Sequence, residues 1–130
     1  MKRKTFIKAA ALAASGSALA ACSEGENLSG GKILHTVMFK LKHPKGSAEE
    51  NKFLKDSFDI LSAVPSARNF KILRQIGKKN DFDFAFSMIF DNQAGYDAYN
   101  NYPAHLDYVK NRWQREVEKF LESDFSPCEA

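Results

Sequence analysis

The sequence predicts an α+β fold, a ferredoxin-like four-stranded antiparallel sheet with its helices on one face. Three observations predict it. Strand and helix signals follow one another as strand-helix-strand-strand-helix-strand within about 95 residues, enough for one domain and one core. The helical segments are too few to cover both faces of such a sheet. The face they leave open would carry Leu34, Met38, Leu73, Ala85 and Ile89, too apolar for water, so a dimer with two sheets face to face is expected.

The first strand is "ILHTVMFKLK", Ile33 to Lys42, with Ile33, His35, Val37, Phe39 and Leu41 on one face and Leu34, Thr36, Met38 and Lys40 on the other. After "HPKG" comes "SAEENKFLKDSFDILSAV". Ser47 with Glu50 three residues later forms a capping box, since each side chain can satisfy a backbone N–H left free at a helix start. Leu54, Phe58 and Leu61 recur at the helical interval and are the expected buried stripe, and Val64 and Pro65 stop the helix.

Two strands follow, "NFKILRQI" and "DFDFAFSMIF", joined by the four-residue loop "GKKN". In the second, Phe82, Phe84, Phe86, Met88 and Phe90 share one face, and Asp83, Ala85, Ser87 and Ile89 the other. A helix starts near "DNQAGYDAYNNY" with Asp91 or Asn92 as its cap. Past Pro103 a second helical stretch, "AHLDYVKNRWQREVEK", spaces His105, Val109 and Trp113 four apart, and "FLESDF" closes the domain as a short strand.

The ends set the address. "MKRKTFIKAAALAASGSALAAC" has a basic start and a short alanine-rich apolar run ending in Leu19, Ala20, Ala21 and Cys22. The run falls short of the ~20 apolar residues a spanning helix needs. It reads as a lipoprotein signal over residues 1–21, with Cys22 acylated as the first mature residue, lipid-anchored to a membrane of the bacterial cell envelope. An ordinary secretory signal that leaves Cys22 a plain thiol is the competing reading. Residues 22–31, rich in Ser, Gly, Glu and Asn, form a flexible tether, the folded domain spans 32–126, and 127–130 is a tail. Cys128 lacks a partner in the chain if Cys22 is acylated and can pair with it otherwise.

Of 19 Lys and Arg, four lie in the signal, leaving 15 against 16 Asp and Glu. The mature chain is near neutral, which argues against a nucleic-acid partner. Serine elbows, glycine-rich phosphate loops and paired catalytic carboxylates are absent from the sequence, and no cofactor is expected. A metal site built on His35 and His105 lacks a third ligand at diagnostic spacing. Tyr96, Tyr99, Tyr102 and Tyr108, at helical spacing beside a proline, read as packing residues rather than a stacking platform.

The pieces "LHTVMFKLK", "VPSARNF" and "DFDFAFSMIFDNQAGYDAYNNYPAHLDYV", in that order, resemble the stress-responsive A/B barrel (Dabb) family. The resemblance implies a dimeric α/β barrel of two ferredoxin-like monomers. Some members of that family have no assigned activity, and a plant polyketide cyclase closes a ring by an intramolecular aldol reaction. In the cyclases a histidine at the "PxH" position and a tyrosine six residues earlier do the acid–base work; here these are His105 and Tyr99, with His35 on the first strand. The family's common "HPxH" reads "YPAH" here, so Tyr102 replaces an imidazole.

The resemblance and the residues together imply a membrane-tethered homodimer that binds a small apolar or aromatic molecule, or acts in stress response. The alternative is a lyase or cyclase with His105 as general base, Tyr99 holding an enolate oxygen and His35 assisting. Cofactor-free monooxygenation or haem-related chemistry, drawn from the wider superfamily, comes third. The site needs a cavity lined by Val37, Phe39, Phe86 and Tyr108. Against it, a histidine after a proline at a helix start can simply satisfy backbone groups, and a strand histidine is commonly a hydrogen-bonded core residue. Phe39 and Phe86 are also bulky enough to fill the space.

Overall fold

The computed structural model describes Leu28 and residues 30–128. The expected signal segment, Cys22 and most of the tether lie outside the described residues. The elements are β1 (Ile33–Leu41), α1 (Ala48–Leu61), β2 (Arg68–Arg74), β3 (Phe84–Phe90), α2 (Gln93–Asn100), α3 (Pro103–Tyr108), a π-helical segment (Val109–Trp113), the single turn α4 (Gln114–Glu116) and β4 (Val117–Phe125). The sheet order is β2-β3-β1-β4, every pair antiparallel, with all helices on one face. No helix among the described residues is long and apolar enough to cross a membrane.

Alternation along β1 and β3 decides the layering. Val37, Phe39 and Leu41 meet Phe84, Phe86, Met88 and Phe90 under the helices, where aromatic rings supply most of the core. On the opposite face Leu73, Ala85, Met38 and Leu121 stand in one row across all four strands, and Ile89, Leu34 and Phe125 in another. Leu73, Leu121 and Phe125 are 47%, 50% and 52% exposed, so this face stays apolar and open in one copy of the chain.

Several local expectations shift. Ser47 caps α1 by accepting from the Glu50 N–H at 3.2 Å, but the Glu50 carboxylate accepts from Gly46 N–H at 2.9 Å rather than from Ser47. Gly46 sits at φ +76°, which favours glycine in that turn. The buried stripe of α1 is Glu50, Phe53, Ser57 and Leu61; Leu54 is only half-buried, and Phe58 is half-exposed against Phe70. The hairpin connection is longer than "GKKN", because β2 ends at Arg74 and β3 starts at Phe84, leaving Phe82 outside the strand. Asn69, at φ +55°, lies in the register shift between Arg68 and Lys71. β4 begins at Val117, so "VEK" is strand rather than helix, and Ile89 is buried rather than lying on an exposed surface.

Candidate functional site

A cavity of about 300 Å³ opens between the helix face of the sheet and the elements from α2 to α4. Its sheet wall is His35, Val37 and Phe86, with Leu61 of α1 beside them. Tyr99 and Asn100 enter from α2, His105 and Tyr108 from α3, and Val109, Trp113 and Gln114 from the π segment and the turn after it. Phe120 and Glu122 of β4 complete it.

The turn between α2 and α3 brings Tyr99 and His105 together. Asn92 caps α2, its side-chain oxygen accepting from Gly95 N–H at 2.9 Å. At the other end Asn101 donates to the Asp97 carbonyl from both backbone and side chain, and Pro103 opens α3 at a position that needs no donor. The His105 ring then packs on Tyr99 with centroids 4.1 Å apart. His105 Nδ1 lies 3.4 Å from the Asn100 carbonyl, which can only accept, so in the neutral ring Nε2 carries the lone pair. Burial pulls the His105 imidazole below its ordinary pKa, against the opposing pull of that carbonyl, and favours the neutral ring.

Tyr99 is 4% exposed, and burial pushes its phenol well above the usual range, so it is a neutral donor. No described residue hydrogen-bonds its hydroxyl, and the oxygen is not sealed in protein, which leaves it facing the cavity.

His35 is held differently. Its Nδ1 donates to Asp124 Oδ1 at 2.5 Å, and the Tyr96 hydroxyl donates to the other Asp124 oxygen at 2.9 Å while lying 3.1 Å from the same Nδ1. The carboxylate fixes which ring nitrogen carries hydrogen and aims Nε2 towards Glu122, 3.9 Å away. Burial, then Asp124, raises the Tyr96 pKa.

Tyr108 is locked to α1. Ser57 Oγ donates to the Phe53 carbonyl at 2.6 Å and has no second proton, so at 2.6 Å the Tyr108 hydroxyl donates to Ser57. Phe39 does not line the cavity: it is fully buried behind Phe86, with ring centroids 4.6 Å apart, and also touches Phe53 and Trp113. Neither Phe39 nor Phe86 plugs the space. Sequence reasoning missed Tyr96, Asn100, Trp113, Gln114, Phe120, Glu122 and Asp124 as site residues. Period-two alternation in "FLESDF" is the signal that places Phe120, Glu122 and Asp124 on the His35 face. No group of three His, Cys, Asp or Glu among the described residues is arranged to hold a metal ion. What remains is an apolar, aromatic chamber with one neutral imidazole, one unpartnered phenol and one carboxylate.

The model of the stress-responsive A/B barrel domain matches residues 33–127. A Dabb family protein with a ferredoxin-like fold from Mesorhizobium loti is 50% identical, with a TM-score of 0.76 over 77% of this chain and 100% of that one. A dimeric ferredoxin-like protein of unknown function from Thermobifida fusca is 18% identical, with a TM-score of 0.67 over 82% of this chain and 100% of that one. Hydroxynitrile lyase from Passiflora edulis is 16% identical, with a TM-score of 0.67 over 77% and 96%. At those lower identities the likeness is one of fold alone. No curated protein matches the chain.

Proposed function

The chain belongs to the stress-responsive A/B barrel domain family, and from that premise we propose that it binds a small, mainly apolar or aromatic molecule in its cavity, as a homodimer tethered to the cell envelope by lipid on Cys22. The observation that carries the binding reading is the Tyr99 hydroxyl, open to a cavity of about 300 Å³ at the end of an otherwise buried side chain and without a hydrogen-bond partner among the described residues. A ligand oxygen, or a water in the cavity, can complete the hydrogen bonding of that hydroxyl. At ~30 Å³ per water-sized group, the space holds a ligand of about ten non-hydrogen atoms. The open apolar face, together with the dimeric state of the Thermobifida fusca neighbour, supports pairing of two sheets.

The lyase or cyclase reading keeps one specific support, the pairing of a neutral His105 with Tyr99. His105 Nε2 would take a proton from carbon alpha to a ligand carbonyl, the C–H electron pair would pass into the enolate, and Tyr99 O–H would hydrogen-bond its oxygen. The Passiflora edulis neighbour, alike in fold, is a lyase by name.

Titration of 2-naphthylmethanol by calorimetry tests the binding reading. A Kd below about 1 mM is expected, weakened at least about tenfold by Tyr99→Phe; no heat of binding would reject it. Deuterium uptake at the methyl group of 2-acetylnaphthalene in D2O tests the second reading. Exchange above the buffer rate that disappears in His105→Asn supports a base there, and exchange that survives the substitution removes it. For the anchor, Cys22→Ser should release the protein from membranes, and a variant that stays bound would sink the lipid assignment.

A further inference from the structure

Only one of the described residues lining the cavity carries a formal charge besides its two histidines, and that is Glu122; none is Lys or Arg. Behind it lies a second carboxylate, Asp124, and the two flank a single histidine, with His35 Nδ1 on Asp124 and Nε2 3.9 Å from Glu122. Even with His35 protonated, this end of the chamber is net negative by one charge. His105 adds nothing to offset it, since its burial favours the neutral ring. The nearest arginine of the π segment, Arg112, is turned the other way, onto Asp56 and Glu116.

Aromatic rings line the same cavity as that carboxylate, which stands 56% exposed at the chamber's edge. Phe120 and Glu122 stand two residues apart on one face of β4, hence about 7 Å apart along the strand. Trp113 meets Phe120 edge-on with ring centroids 5.5 Å apart, and Tyr99 with its open hydroxyl lines the same cavity. Ring faces beside a carboxylate attract an organic cation, because the ring quadrupole is negative over its face and the carboxylate supplies the counter-charge. The same surroundings repel a carboxylate or phosphate, for which the cavity lining offers no cationic partner.

We infer that the cavity selects small aromatic molecules bearing a protonated amine, with Glu122 as counter-ion and Trp113 and Phe120 as the ring walls, and that it excludes carboxylates and phosphates. The inference rests on the binding reading above and narrows its ligand class. Three ligands of one shape separate the two: 2-naphthylmethylamine, 2-naphthylmethanol and 2-naphthoate, titrated by calorimetry into the full-length protein at neutral pH. The amine is expected to bind about tenfold tighter than the alcohol, and the naphthoate at least about tenfold weaker.

Glu122→Gln should bring the amine to the level of the alcohol measured in the same variant. Glu118→Gln, which removes the same charge from an exposed position off the cavity, should keep the amine's advantage. Alcohol that binds with no gain for the amine, or naphthoate that binds as well as either, overturns the charge selection and leaves the binding reading standing. Loss of the amine's advantage in Glu118→Gln would equally overturn it, by assigning the effect to net charge. Failure of all three ligands to bind overturns both.

Discussion

Replacing Ser57 with alanine tests whether the chamber wall is locked from behind. Ser57 is fully buried, and its oxygen is the acceptor for the Tyr108 hydroxyl, a group on a side chain only 3% exposed. Alanine removes the acceptor and leaves a buried phenol without one, at a cost of ~1–3 kcal/mol. The complementary change, Tyr108→Phe, leaves Ser57 still donating to the Phe53 carbonyl, so only a hydrogen bond is lost, worth ~0.5–1.5 kcal/mol. In the double variant no phenol remains to be stranded, and its stability should match Tyr108→Phe alone. The coupling in the cycle is therefore on the order of 1 kcal/mol.

Urea unfolding followed by Trp113, the only tryptophan in the chain, reads these differences, at one fixed protein concentration because association adds to stability. In a thermal melt Ser57→Ala should lose ~4–8 °C per kcal/mol for a domain of this size. Two results would refute the reasoning. A Ser57→Ala cost under about 0.5 kcal/mol would mean that cavity water already satisfies the phenol. Costs that simply add in the double variant would mean that the two groups do not interact.

Leu121→Lys places a charge in the apolar row formed by Leu73, Ala85, Met38 and Leu121 and should give a monomer by sedimentation at micromolar concentration with unchanged far-UV circular dichroism; a persisting dimer would rule out this face. His105 gives a pH signature of known sign. Its folded pKa lies below the ordinary 6.5, so the unfolded chain binds the proton first, and stability from this group is complete above about 6.5 and declines as pH falls towards the folded value. The urea midpoint should drop further between about pH 7.5 and about pH 5 in the natural chain than in His105→Asn, and equal drops would dispose of the buried imidazole.

The fold was legible because its strongest signals are local. Alternation in β1 and β3, the Ser47 cap and Pro103 each act within a few residues, and together they set element order. The face of α1 was not legible in the same way. Leu54, Phe58 and Leu61 satisfy a helical period as well as Phe53, Ser57 and Leu61 do, and hydropathy favours the first set. What turns the helix is that Glu50 and Ser57, both polar, have hydrogen-bond partners in Gly46 N–H and the buried Tyr108, and those partners are known only once the chain is folded. Likewise "VEK" continues a helical pattern on paper, yet β1 needs a partner along its whole length and draws Val117 opposite Leu41.

The same distinction explains the site. Tyr99 and His105 could be paired from the sequence because one turn joins them, and the structure packs their rings at a 40° tilt. Alternation in "FLESDF" sets the face of the carboxylates, but cross-strand register decides their partners, Glu122 opposite Val37 at the chamber and Asp124 opposite His35 behind it, and no short-range pattern specifies that. Trp113 depends on a further departure. Equal four-residue spacing would run His105, Val109 and Trp113 along one regular helix, whereas here the Gln114 N–H bonds to the Val109 carbonyl five residues back. That one-residue insertion rotates the succeeding turn by about 100°, roughly a quarter of a revolution, and Val109, Trp113 and Gln114 line the chamber together. π turns carry no compositional mark, so the Trp113 ring was placed on the chamber wall by a backbone feature the sequence does not announce.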